Sequence, residues 1–178
     1  VFQCNKAKPE LGLVGEIKSV NVERVNSILE LDIIPVIAPM GHEGEEILNI
    51  NADIATVELA KAINPYKVIF LSETGGIFNE TDQLIETINL VLEYEDLMQQ
   101  EWLHSGMKLK LEQIKILLDH LPKTSSVSIT QPINLPKELF TDSGSGTLVK
   151  HGYSINQHSL PDKGIEDQFK VIIESSFN

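Results

Sequence analysis

The chain has 178 residues, with 14 Lys and Arg against 26 Asp and Glu, and a formal net charge of -12 makes nucleic acid a poor partner because like charge is repelled by phosphate backbones. The single cysteine, Cys4, leaves no internal disulfide framework and no thiolate metal cluster, and no zinc-ligand spacing occurs among the histidines. At 42% hydrophobic residues the length suits about one globular domain, and no apolar run is long enough to cross a bilayer.

Leu11 to Val20 carries Gly12 and Gly15 among β-formers and reads as a twisted strand or hairpin arm. Asn21 then caps a helix with Val22, Val25, Ile28 and Leu29 at spacings of three and four. Ile33–Ala38 and Val68–Leu71 are nearly continuous apolar runs, the pattern of strands buried on both faces of a parallel sheet. A helix from about Asn51 to Ile63, with Ile54, Val57 and Ala60 on its apolar stripe, lies between them. The rhythm predicts a right-handed βαβ unit.

Past Gly75-Gly76, the apolar positions Leu90, Val91, Tyr94, Leu97, Met98 and Trp102 predict a second amphipathic helix. A third is expected after Gly106, on the seam Leu111, Ile114, Leu117, Leu118 and Leu121, closed by Pro122. Ser125 to Ile129 and Thr147 to Val149 are strand candidates, separated by a short Pro-flanked segment at Leu139-Phe140 and a glycine turn. From Ser154 the composition turns polar and reads as a linker, with Phe169 to Phe177 the start of a further element.

The stretch from Ile47 to Ala60 concentrates the chemistry. Asn51 reads as an N-cap, Asp53 falls in the first helical turn, and Asn49 lies two residues before Asn51 on an extended lead-in, so the two amides can face the same way. The plainer reading is a cap and a carboxylate complementing the helix dipole. Lys108 and Lys110 follow Gly106 at a helix start, where exposed amides and an ammonium together suit transferring phosphoryl oxygens; otherwise they are solvated surface lysines. Ser72, Glu73, Gly75 and Gly76 end a buried strand, the edge where open α/β sheets gather ligands, or form an ordinary turn.

Taken in order, Leu11–Lys18, Asp32–Pro39, the Asn/Asp helix, Val68–Ile77, Gly106–Lys110 and Lys137–Val149 resemble the amino acid kinase family, in the branch that phosphorylates N-acetyl-L-glutamate in fungal arginine biosynthesis. The resemblance runs from about Leu11 to Tyr153. It implies an α/β fold, part of a three-layer αβα sandwich with a mainly parallel sheet, with residues 1–153 forming the C-terminal, nucleotide-binding part of the kinase domain. It also implies ATP and Mg2+ as cofactors, and no metal ligands are identified in the chain. By the same resemblance Asp53 and Lys110 are catalytic, Asn49 and Asn51 hold the acetylglutamate, and Ser72, Glu73, Gly75, Gly76, Met107 and Lys108 contact the nucleotide. Many members have Asp where Glu73 stands.

Lys137–Thr147 resembles the loop with which arginine-inhibited members grip their effector, with Glu138 pairing the guanidinium and Gly144 giving close backbone approach. Ser128 stands where some relatives carry a histidine. The family's glycine-rich phosphate loop, a second catalytic lysine and a substrate-holding arginine have no counterpart in these residues, so the piece by itself is expected to be inactive or nearly so. A homo-oligomeric, mitochondrial parent is implied by resemblance alone. The rival expectation is a noncatalytic arginine sensor, like the kinase-like domain of an N-acetylglutamate synthase.

Overall fold

The computed structural model describes residues 1–141 and 144–152. Two mixed sheets are joined by one helix. The first sheet has the order β2-β1-β3-β4, made of β1 (Phe2–Lys6), β2 (Gly15–Val20), β3 (Met40–Glu43) and β4 (Glu46–Asn49). β1 runs antiparallel to β2 and parallel to β3, and β3 and β4 form an antiparallel hairpin turning at Gly44, whose φ is +58°. The second sheet has the order β5-β7-β8-β6, from β5 (Lys67–Leu71), β6 (Thr87–Asn89), β7 (Ser126–Thr130) and β8 (Gly146–Lys150). Its β5·β7 and β6·β8 pairs are parallel and its β7·β8 pair antiparallel.

Five α-helices accompany the sheets among the described residues: α1 (Val22–Leu29), α2 (Ala52–Ile63), α3 (Leu90–Gln99), α4 (Ser105–His120) and the short α5 (Leu135–Phe140). Each of the first three is opened by an asparagine. Asn21 accepts from Arg24 N, Asn51 from Asp53 N and Ile54 N, and Asn89 from Val91 N, satisfying amides that have no partner inside the helix. No helix among the described residues is long and apolar enough to cross a membrane.

α2 holds the two halves together by having two buried faces. Ala55 packs with Phe2, Cys4, Leu48 and Ile50 under the first sheet, while Val57 and Ala60 join the larger core formed with Phe70, Leu111, Ile114, Leu118, Val127 and Val149. Small residues at Ala55 and Ala60 let sheet and helix approach closely, and α2 packs against α4. The seam expected on α4 is buried at all five positions, although the helix begins at Ser105 and includes Gly106 in its first turn.

Several expectations fail in informative ways. Ile33–Ala38 is not a strand: Ile34 is 87% exposed and Val36 98% exposed, with Pro35 and Pro39 interrupting any ladder. The expected βαβ unit is therefore absent, since the β3·β4 hairpin precedes α2 and the helix crosses from one sheet to the other. Ile54 points outward, because α2 turns its other sides to the two cores. Trp102 lies beyond the end of α3 rather than on its seam. β1, β6 and the β3·β4 hairpin were not anticipated; they are short, and Met40 and Ile47 on the hairpin are exposed, which blurs the alternation. The expected linker from Ser154 onward lies outside the described residues.

Candidate active site

The Asn51 cap fixes the start of α2 and so fixes Asp53 in its first turn, with Asn51 Oδ1 accepting from Asp53 N at 2.9 Å and from Ile54 N at 3.2 Å. Lys110, in the second turn of α4, donates from Nζ to both oxygens of the Asp53 carboxylate at 2.9 and 3.0 Å. The same ammonium lies 4.8 Å from the ring centroid of Phe70 on β5. An ion pair on one side and an aromatic face on another hold the long lysine side chain in one place; only 19% of its surface is exposed. Asn49 ends β4, where its amide donates to Leu13 O at 2.8 Å, and both Asn49 and Asn51 are exposed around this corner.

Phe70 is followed two residues later by Ser72, so the strand that backs Lys110 also leads into the glycine loop. Ser72 Oγ is 2.9 Å from Thr74 Oγ1, the Glu73 carbonyl accepts from Gln131 Nε2 at 2.9 Å, and Thr74 Oγ1 donates to Gly76 O at 3.2 Å. Gly75 has φ +76° and lies against Gln131, where an added Cβ would come within 2.6 Å of its side chain. Beside this loop a cleft of about 400 Å3 is lined by Thr74, Gly76, Phe78, Trp102 and Met107 among others. That volume falls in the range of small-molecule sites.

Of the residues assigned to the nucleotide, the structure brings Gly76 and Met107 to this cleft; Ser72, Glu73 and Gly75 shape the adjoining loop without lining it. Lys108 is two residues from Lys110, and residues so spaced on a helix face different ways, so the pair does not act on one spot. The α4 N-cap, His104, offers no side-chain cap bond, and only the Met107 and Lys108 amides return to its carbonyl. The Ser105 and Gly106 amides are left for solvent or an anion, at the positive end of the helix.

The effector segment is built differently. Glu138 is 3% exposed, its Oε1 is 2.6 Å from Lys67 Nζ, and its Oε2 accepts from Ser145 N at 2.9 Å. Burial works against ionisation, but the Lys67 ammonium, the Ser128 hydroxyl and the Ser145 amide outweigh it and hold the carboxyl below its usual range. Gly144, φ +60°, passes so close that a Cβ would come within 2.5 Å of Glu138 Oε2. The Ser128 hydroxyl, itself fully buried, faces the same carboxylate.

The sequence profile of the amino acid kinase family matches residues 1–126. The chain belongs to the amino acid kinase family. Among curated relatives, the acetylglutamate kinase of Xylella fastidiosa is 56% identical over 99% of this chain and 42% of that protein. A mitochondrial protein of Neurospora crassa is 47% identical over 82% of this chain and 17% of that protein. The chain thus spans less than half of either relative. In structure it is similar to the N-acetylglutamate synthase of Neisseria gonorrhoeae complexed with coenzyme A and N-acetyl-glutamate, with a TM-score of 0.77 at 20% identity over 98% of this chain and 43% of that one.

The structure brings to this region residues that the sequence did not single out. Phe70 was read only as part of a buried strand, yet it backs Lys110. Trp102, which also packs against the larger core, and His104 line the cleft with Phe78, Asn79 and Asp82. A signal was available for Trp102, since it lies past the α3 stripe and just before the next helix start. None was available for Phe78 or Asp82, which reach the cleft through an Asn79-centred turn whose Oδ1 accepts from Thr81 and Gln83 amides.

Proposed function

We propose that the chain is the nucleotide-binding part of a phosphotransferase that moves the γ-phosphoryl group of ATP to the side-chain carboxylate of N-acetyl-L-glutamate. The observation that carries this reading is the Asp53·Lys110 pair, which joins the starts of α2 and α4 beside the end of β5. The names of the similar acetylglutamate kinases support it.

A substrate carboxylate oxygen attacks the γ-phosphorus as the bond to the bridging oxygen breaks; ADP takes the bonding electrons and an acyl phosphate remains. No covalent enzyme intermediate is needed, so the protein's work is position and charge compensation. Asp53 orients the Lys110 ammonium toward the oxygens in flight. Asn49 offers a donor and an acceptor to the acetamido and carboxylate groups of the substrate, and Asn51, its Oδ1 committed to the cap, offers its Nδ2 donor. The cleft fits the base and sugar, with Phe78, Trp102 and Met107 as apolar walls, while its Glu80 and Asp82 disfavour phosphates there and direct them toward α4. Magnesium held by the phosphates would neutralise charge on the triphosphate.

The test is Lys110→Ala in the full-length parent, with acyl phosphate trapped by hydroxylamine. Turnover is expected to fall about 100-fold or more with a smaller change in nucleotide affinity; an unchanged rate ends the assignment. The mitochondrial names of the fungal relatives support the same compartment for the parent.

A second reading, arginine binding at Glu138, is favoured by the buried carboxylate and the close approach of the Gly144 backbone to it. Calorimetry separates the two: a kinase binds MgATP, and a pure sensor binds arginine without nucleotide.

A further inference from the structure

Phe70 occupies the inward side of β5, is 6% exposed, and shares the larger core with Val57 of α2 and with Leu111 and Ile114 of α4. The parallel ladder holds its backbone in register with Ile129 of β7. The Lys110 ammonium lies over this ring, 4.8 Å from the centroid, and donates to the Asp53 carboxylate at 2.9 and 3.0 Å. These two partners differ in how firmly they are themselves held. Asp53 keeps 38% of its side chain in water, so a pair made of Asp53 and Lys110 alone can swing outward together. The ring cannot follow, because the core encloses the rest of it. It also has no acceptor atom, so it holds the positive charge by its quadrupole without occupying an N–H that an incoming oxygen needs. Lys115 over Tyr94, the other such contact among the described residues, is longer at 5.4 Å and its ammonium-bearing side chain is 35% exposed.

We infer that Phe70 is a positioning residue for phosphoryl transfer: its ring face sets where the Lys110 ammonium stands near the end of β5, so the charge is in place before the transferred group arrives. The inference rests on the phosphotransfer reading and adds a third residue to the Asp53·Lys110 pair. Phe70 lies on the strand that leads through Leu71 into Ser72 and the glycine loop, so one backbone both places the ammonium and shapes the side of the nucleotide cleft. Charge fixed beforehand matters because electrostatic stabilisation is largest when nothing has to reorganise at the moment of reaction. An aliphatic side chain at this position would exclude water equally well but would carry no quadrupole, and that difference separates positioning from packing.

The experiment replaces Phe70 in the full-length parent, by site-specific incorporation, with phenylalanine carrying one, two or three ring fluorines, which drain the negative face of the ring at nearly constant size. The kcat for acyl phosphate, trapped by hydroxylamine, is expected to fall stepwise along the series by about 2- to 30-fold in all, with the KM for MgATP and the melting temperature little changed. Trifluorophenylalanine at Phe2, buried in the other core with no ammonium over its ring among the described residues, should leave kcat unaltered. In the 178-residue chain, nitrogen-15 relaxation of the lysine ammonium groups reads the same contact without turnover, and the order parameter of Lys110 Nζ should decrease along the fluorine series. A kcat that ignores fluorine at Phe70, an equal loss from fluorine at Phe2, or an unchanged Lys110 order parameter would each overturn the inference. If the unsubstituted parent forms no acyl phosphate, the phosphotransfer reading fails, and the order parameter alone then decides whether the ring holds the ammonium.

Discussion

Lys67 binds Glu138 twice: its Nζ is 2.6 Å from the carboxylate Oε1 and donates at 2.8 Å to the backbone carbonyl of the same residue. β5 and α5, 71 positions apart in sequence, are thereby pinned at the edge of the second sheet. Glu138 is nearly inaccessible while Lys67 keeps 27% of its surface, so removing the lysine strands a buried charge. Lys67→Met is expected to cost about 2–4 kcal/mol, near the range for breaking a buried pair after allowance for the exposed partner. Urea denaturation of the single variants and of Lys67→Met/Glu138→Gln checks it, with the double variant losing less than the sum of the two.

The same carboxylate sets a pH dependence. Burial raises the Glu138 carboxyl, the Lys67, Ser128 and Ser145 contacts lower it further, and it ends below its unfolded value near 4.5. A depressed folded value means the stabilisation is complete above that pH and is lost as the pH falls through the folded value. Melting temperatures between pH 6 and pH 3 should therefore fall more steeply for the unmodified chain than for Glu138→Gln. Parallel curves would remove Glu138 from the acid response.

Asn51 satisfies two amides at the start of α2. Asn51→Ala should destabilise the chain by about 1 kcal/mol, while Asn51→Asp, which keeps an acceptor oxygen in the cap, should lose much less. Chemical denaturation midpoints distinguish the two. Equal losses would mean that the side chain does something other than cap.

Lys110 is the opposite case from Lys67. Its partner Asp53 has 38% of its side chain exposed, and water can resolvate that carboxylate once the lysine is gone. Lys110→Met should change stability by about 1 kcal/mol or less, measured by the denaturant midpoint of the 178-residue chain. A residue whose loss spares the fold but removes turnover in the parent is one kept for chemistry; a loss of several kcal/mol would mark Lys110 as structural instead.

Periodicity was a good guide where an element has one wet and one dry side. The α4 seam, the Asn21 and Asn51 caps, and the strands around Val68, Val127 and Val149 were readable from the order of residues, whereas the pairing of Asp53 with a lysine came only from the family resemblance. The β3·β4 hairpin was not, because its Gly41 and Leu48 are buried singly between exposed neighbours, leaving no stripe to count. Ile33–Ala38 misled for a different reason. Its pattern suits a segment covered on both sides, whereas among the described residues Ile34 and Val36 are exposed and only Ile37 packs on the first core.

What the linear chain determines by itself is chemistry that depends on neighbours close in sequence: an amide that can cap because the helix begins after it, a carboxylate in that helix's first turn, an ammonium near the start of another. Which ammonium meets that carboxylate was decided by packing. α2 buries Ala55 in one core and Val57 in the other, and this two-sided burial sets it against α4 so that Lys110 reaches Asp53 while Lys108, two residues away, turns elsewhere. Helical geometry offers both lysines from sequence, and only the shape of the buried surface between two helices selects one.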